Sequence, residues 1–498
     1  MGIAKKEKEQ RRPMGMRAAA FIQFSSKYIN VAVHLIVTMV LARILIPEDY
    51  GIMAVVSVFL GLFNVLSTAG VGAAVVQFRE LTDEDCGGLL IFTAGFGIVL
   101  SLVFCGASLP VSIIYGSNDF IPLMCLASIA VFLNSANMVP NGLLLRDKHF
   151  IAIGVRLILT SLVAGTIAVA LALMGWGAYA LVWNTIIQSA LNLLWNLIAS
   201  RPVLRGVHPI QAIRKVLSFS AFQFGSSVLQ YLIRNLDNMI VGFAMGVTAL
   251  GYYDKAYKLA KYPIEIIPST LNPVLGPYFA DFETNRDGLW GMFIKVEKVY
   301  SVAGVLLTVL CTSCARELIN ICFGDRWEAS ILSFAILSLS IVFQMMNYLV
   351  FAVLQGLRRT DLLLAHTGIT GIAMLVLLLG GVYVGTIEAV AAAISLYFAV
   401  VSTASFLWFV VHTAFERSML EYLKLYAPEF ACGLVALLAV TLIAPILPSN
   451  DFLSLAAKTL VCTCVYLLLI WRCGQLSHLS MLLPSRFRPM KATRRDQQ

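Results

Sequence analysis

The chain has 498 residues, 59% of them hydrophobic and 13% charged, with a net charge of +9. A water-soluble domain carries about 25% charged residues, so half that fraction over this length excludes an ordinary soluble enzyme and makes lipid the main solvent. No phosphate-binding G-x-x-x-x-G-K-[ST] loop and no dinucleotide fingerprint occurs. Nucleotide-driven pumping within this chain is therefore not expected, and no cofactor is expected.

In chain order, the basic N-terminus MGIAKKEKEQRRPMGMR comes first and leads into a long apolar run. A secretory signal has an apolar stretch of only about 7 to 15 residues, so this run is expected to be an uncleaved membrane helix. At about 20 residues per crossing, apolar runs bounded by charge, Gly or Pro predict about fourteen such helices. They are 18–46, 50–77, 87–109, 112–139, 151–174, 176–199, 215–245, 251–279, 292–318, 328–357, 362–384, 386–414, 422–446 and 452–472. The fold class expected is an all-α polytopic membrane protein. Connections such as 200–215 and 280–292 are too short to hold a catalytic domain.

Basic residues test this order. With the N-terminus inside, 27 of the 36 Lys and Arg fall in inward segments, among them Arg146, Arg156, Lys295 and Lys298. Only Arg43, Arg316, Arg326 and Lys458 fall outside. Such asymmetry is the positive-inside signature. It predicts that both termini are cytoplasmic and attributes the net charge to topology rather than to nucleic-acid binding. The ten cysteines are mostly within apolar runs, and neither C-x-x-C at 311–314 nor C-x-C at 462–464 has a second pair to complete a zinc site. Small core residues and no metal are the expectation.

A shift of 200 residues aligns FIQFSSKYINVAVH from Phe21 with AFQFGSSVLQYLIR from Ala221, and Gly51 with Gly251. Gln23, Lys27, Asn30, His34 and Thr38 then share one helical face, and Gln223, Ser227, Gln230, Arg234 and Asn238 stand at the same offset. This predicts a parallel repeat. A six-helix lobe would occupy 1–200 and a second 201–420, followed by a helix pair at 421–475 and a basic tail at 476–498 that suits anionic lipid. The two stripes are expected to line a central cavity. Packing between helices is the alternative for their neutral members, and His34 is open between the two roles.

Two stretches carry a resemblance. LARILIPEDYGIMAVVSVFLGLFNVLSTAGVGAAVVQFRELTDED (41–85) and RNLDNMIVGFAMGVTALGYYDKAYKLAKYPIEIIPSTLNPVLGPYFA (234–280) resemble bacterial polysaccharide-biosynthesis flippases. These form the polysaccharide transport branch of the multidrug/oligosaccharidyl-lipid/polysaccharide exporter superfamily. The resemblance covers roughly the first 420 residues. It implies a V-shaped transporter of twelve core helices, often with two more, in the bacterial cytoplasmic membrane. It also implies an undecaprenyl-pyrophosphate-linked oligosaccharide as substrate, made and used by glycosyltransferases and a polymerase of the same pathway.

In the eighth span, Asp254, Lys258, Lys261 and Glu265 follow i, i+4, i+7, i+11 and share a face. Asp254 with Lys258, and Lys261 with Glu265, are i,i+4 pairs. At 1.5 Å per residue Lys261 lies about 15 Å from Gly251, near mid-membrane. A charge there costs on the order of 2.5–3.5 kcal/mol and is expected to face a wet interior. Arg234, Lys258 and Lys261 are expected to bind pyrophosphate, Lys27 to meet it first, and Lys255 to lie near the rim. Asn30, His34 and Gln230 would add polar contacts. Asp237, Asp254 and Glu265 would be counter-charges or, alternatively, sites for a coupling ion. Pro263, Pro268, Pro273 and Pro277 are expected to kink this span. Rival readings are a multidrug antiporter, disfavoured because residues 18–46 lack a carboxylate, a membrane glycosyltransferase or polymerase, and a non-transporting scaffold.

Overall fold

The computed structural model describes residues 16–68, 71–78, 80–204, 208–214, 228, 231–232, 234–281, 286–357, 359–448 and 450–475. Every regular element among them is helical, and the chain divides into two compact units, Met1–Gly251 and Tyr252–Gln498. Nine described helices are long and apolar enough to cross a membrane, or up to eleven spans if each of two bent helix pairs is one. Three predicted spans are not among these. Ala178–Ser200 is a continuous helix diluted by Asn184, Gln188, Asn192 and Asn196. Val247–Asp281 is continuous over 35 residues but carries the charged stretch. Of the seventh, Leu236–Met245 is a ten-residue helix, and most of 215–235 lies outside the described residues.

The helices of the first unit whose two ends lie among the described residues are α1 (Met16–Ile44), α2 (Pro47–Thr68), α3 (Val71–Gln77), α4 (Asp83–Tyr115), α5 (Phe120–Arg146), α6 (Phe150–Leu173), α7 (Ala178–Ser200) and α8 (Leu236–Met245). Thr82 starts α4 with a capping box. Its hydroxyl accepts from the Asp85 N–H at 3.1 Å, and the Asp85 carboxylate accepts from the Thr82 N–H at 3.1 Å. The break predicted near residue 110 is corrected, because α4 runs through Pro110 and stops at Gly116, in the left-handed region at φ 67°. A proline costs one backbone bond, which a membrane helix can re-satisfy locally, whereas a left-handed glycine turns the chain.

Small residues bring these helices close. A Cβ on Gly154 would lie 2.2 Å from Ser26 Oγ, and one on Gly165 would lie 2.4 Å from Val37 Cγ2. Thus α1 and α6 pack backbone-close along one face, as expected where van der Waals fit replaces the hydrophobic drive. Cys105 and Cys125 form a disulfide between α4 and α5, with their Cα atoms 4.5 Å apart. That corrects the reading of all ten cysteines as separate core residues. The tight turn at residues 116–119 sets the two helices antiparallel and brings this pair level.

The second unit begins within α9 (Val247–Asp281), which stays one continuous helix despite its four prolines. Next come α10 (Arg286–Ser313) and α11 (Ala315–Phe323), bent by 73° at their junction. They are followed by α12 (Ala329–Ser338), α13 (Ile341–Asn347), α14 (Val350–Gly356) and α15 (Thr360–Val384). α16 (Ile387–Leu396) continues through π-helical stretches at Tyr397–Ser402 and Leu407–Ala414. There Thr403 and Thr413 donate their hydroxyls five residues back, to the carbonyls of Phe398 and Trp408, at 2.9 and 2.8 Å. α17 (Met419–Ile443) and α18 (Asp451–Arg472) close the unit. Phe293, Tyr300, Met345, Phe406, Tyr422 and Tyr466 fill the core. Ile372, Leu442 and Trp471 stand exposed, which suits a lipid-facing surface.

Candidate functional site

In the first unit, the polar stripe of α1 splits in two. Asn30 accepts a 2.7 Å hydrogen bond from the Ser161 hydroxyl of α6. Gln188 of α7 donates to the same hydroxyl at 2.9 Å, and its amide nitrogen lies 3.5 Å from Nε2 of His34. Both residues therefore sit in a network within the unit. Lys27, on the same helix, is exposed. The side chain of Gln23 and all of Gln230, Gln223 and Ser227 lie outside the described residues. Arg234 is exposed, whereas Asp237, three residues on, is fully buried.

The charged stretch of α9 forms the pairs its spacing predicts. Lys258 Nζ lies 2.8 Å from Asp254 Oδ2, and Lys261 Nζ lies 3.4 Å from Glu265 Oε1. The exposures are unequal. The Asp254 side chain is 2% exposed and that of Lys258 is 53%. Lys261 and Glu265 are 41% and 59% exposed. Lys261 also lies 5.7 Å from the Tyr257 ring centroid, close enough for a cation–π contact. Lys255 corrects the rim expectation. It is 3% exposed, with its ammonium 5.7 Å from the Phe323 ring centroid and 6.0 Å from that of Trp327. At 100° per residue it leaves the stripe formed by its neighbours and turns into the unit.

Two basic residues read from sequence as flanking, topology-setting cations are buried instead. Lys298 of α10 is 1% exposed. Its ammonium pairs with Glu429 of α17 at 2.5 Å, donates to the Leu425 carbonyl, and lies 4.7 Å from the Tyr426 ring centroid. Beside it, Glu297 accepts from the Tyr422 hydroxyl at 3.1 Å. Arg156 of α6 is 6% exposed, and its Nη1 donates to Asn141 Oδ1 of α5 at 2.9 Å and to Asn196 Oδ1 of α7 at 2.5 Å. Asn196 donates in turn to Asn137 at 2.7 Å, and Thr160 donates to Asn192 at 3.2 Å. One signal could have found this cluster: asparagines at i,i+4 on the two helices that flank α6, at 137 and 141 on α5 and at 192 and 196 on α7.

The chain has recognisable relatives. The family described as "Polysaccharide biosynthesis protein" matches residues 40–332. The lipopolysaccharide biosynthesis protein WzxC of Escherichia coli is 26% identical over 313 residues, 61% of this chain and 62% of that one. The succinoglycan biosynthesis transport protein ExoT of Rhizobium meliloti is 22% identical, covering 61% and 60%. The chain thus spans about three-fifths of the length of these curated relatives. Among solved structures, the lipid II flippase MurJ in an inward closed conformation superposes with a TM-score of 0.71 at 12% identity, over 92% of this chain and 99% of that one. An outward-facing multidrug resistance MATE transporter of the MOP superfamily gives 0.52 at 14% identity, over 78% and 94%. These likenesses give the all-α membrane fold of that superfamily.

Proposed function

We propose a function from one premise: the chain belongs to the polysaccharide biosynthesis protein family. It acts as a flippase rather than an enzyme, moving a lipid-linked polysaccharide precursor across the bacterial cytoplasmic membrane. The substrate is an undecaprenyl-pyrophosphate-linked oligosaccharide, carried from the inner to the outer leaflet by alternating access through a cationic central cavity. Both termini are cytoplasmic. The architecture is two six-helix lobes, 1–200 and 201–420, with a helix pair at 421–475. Glycosyltransferases and a polymerase of the same pathway supply and consume the glycan.

The observation that carries this reading is the exposure pattern on α9, where Lys258 and Lys261 keep open cations while Asp254 and Lys255 of the same helix are buried. A diphosphate and its sugars lose their hydrogen bonds to water over about 30 Å of hydrocarbon. Exposed cations at successive depths, strengthened by low-dielectric walls, offset part of that loss. Arg234, Lys258 and Lys261 hold the diphosphate, and Lys27 meets it first.

The test is a deletion strain in which lipid-linked sugar is assayed on each leaflet. Accumulation on the inner leaflet, relieved by the wild-type gene but not by R234Q/K261Q inserted at normal levels, is the expected result. Full relief by that double variant would remove these residues from the site. No accumulation at all would remove the flippase reading.

A further inference from the structure

Arg156 is not among the cations of the proposed path. Arg156 is 6% exposed, and among the described residues both side-chain hydrogen bonds it makes come from Nη1, to Asn141 and Asn196. Nε is buried without a hydrogen-bond partner, and no carboxylate lies within 4 Å of the guanidinium among the described residues. The local sequence explains why: from Phe120 to Arg214 the only acid is Asp147, and α1 has none. Asp147 lies instead 3.9 Å from Arg146.

A neutral donor would join three helices as well as an arginine does and would carry no charge into the interior. The charge is therefore the feature to explain, since a buried ion without a counter-ion is costly. The hydrogen bonds leave one particular edge open. Nε and Nη2 together form the flat fork that grips a phosphate or carboxylate with two parallel bonds, and Nη1 is the nitrogen already occupied. Asn137, Asn141 and Asn192 belong to the same hydrogen-bonded cluster, and all three are only half-buried. Such amides both donate to and accept from hydroxyl groups.

We infer that Arg156 anchors an oxyanion-binding site inside the first unit, in which the Nε/Nη2 edge holds a phosphate or carboxylate and the clustered asparagines hold adjacent sugar hydroxyls. The site deepens the flippase reading and rests on it for the source of the anion. That source is either the diphosphate or an acidic sugar of the head group.

The test uses the full chain purified in detergent, with pyrophosphate and glucuronate as separate probes at matched ionic strength. Phenylglyoxal labelling of Arg156, followed by peptide mass spectrometry, is expected to slow at least ~5-fold with the correct anion, while labelling of the exposed Arg201 does not change. R156Q is expected to weaken binding by at least ~10-fold, and R156K, which keeps the charge without the fork, by less. The probe that protects identifies the source. Arg156 that resists labelling under all conditions, or labels equally with and without both anions, overturns the site. So does wild-type affinity in R156Q. The labelling needs only wild-type protein, so a variant that fails to fold does not block the answer. Protection at Arg156 with no leaflet imbalance in the deletion strain would keep the site and remove the flippase reading. The reverse pair of results would remove the site alone.

Discussion

Gly51 and Gly251, 200 residues apart, pack backbone against backbone within the first unit. A Cβ on Gly51 would lie 1.7 Å from the Val247 carbonyl oxygen, and one on Gly251 would lie 2.0 Å from that of Pro47. Each glycine meets the residue four positions before the other, so the contact is reciprocal, and both pairs share the offset of 200 seen in the sequence. Alanine usually gains about 1 kcal/mol over glycine in a helix, but here the added methyl strikes rigid backbone. G51A and G251A are each expected to lower the thermal midpoint of the detergent-purified protein by several degrees, roughly 1–3 kcal/mol or more. G371A, with open space around its Cβ, is the control and should be neutral or stabilising.

Lys298 and Glu429 form a dry ion pair, with side chains 1% and 0% exposed. Removing one partner strands the other charge, which costs about 3–5 kcal/mol, whereas replacing both with apolar groups can be neutral. K298M is therefore expected to lower folded yield and thermal midpoint sharply, and K298M/E429L to recover most of the loss. Equal damage from the single and the double variant would show that the Leu425 and Tyr426 contacts, rather than the charge balance, hold α10 to α17.

Which parts of this molecule could be read from its sequence follows from how local their causes are. Helices are set by runs of apolar residues, so their approximate positions were legible, and α4 overran its predicted end only because a proline looks like a stop in sequence. The Asp254–Lys258 and Lys261–Glu265 pairs were legible because their partners are four residues apart. Arg156 and Lys298 were not, since their partners lie 15 and 40 residues away for the first and 131 for the second. Near the end of a span, a buried cation has the same local sequence as a topology-setting one. Lys255 was misplaced for a related reason: a lysine near the end of a span reads as a rim residue, while its angle around the helix turns it into the unit.

Lys258 Nζ lies 2.8 Å from Oδ2 of the buried Asp254. K258Q therefore mixes two effects, loss of a site cation and loss of the ion pair of a buried acid. D254N/K258Q separates them. The single variant is expected to fall several-fold in membrane level and the double variant to return close to wild type, since its amide needs no counter-ion. Export in the double variant should stay at least ~10-fold down if the Lys258 charge serves the substrate, as a single charge-assisted contact is worth about 1.5–3 kcal/mol. Recovery of both level and export would make this pair purely structural.

Asn30, Ser161 and Gln188 form one chain of side-chain bonds, at 2.7 and 2.9 Å, between α1, α6 and α7. Interhelical bonds of this type are worth about 0.6–2 kcal/mol in membranes. N30A is expected to lower the thermal midpoint, S161A to lower it further because it also removes the Gln188 bond, and N30A/S161A by clearly less than the sum, because both remove the Asn30–Ser161 bond. The export readout decides whether Asn30 has a second role. If it also touches the glycan, N30A should depress export at normal protein levels while S161A does not. Matched export in the two variants would confine Asn30 to joining helices and leave Lys27, exposed one turn away, as the member of the α1 stripe open to substrate.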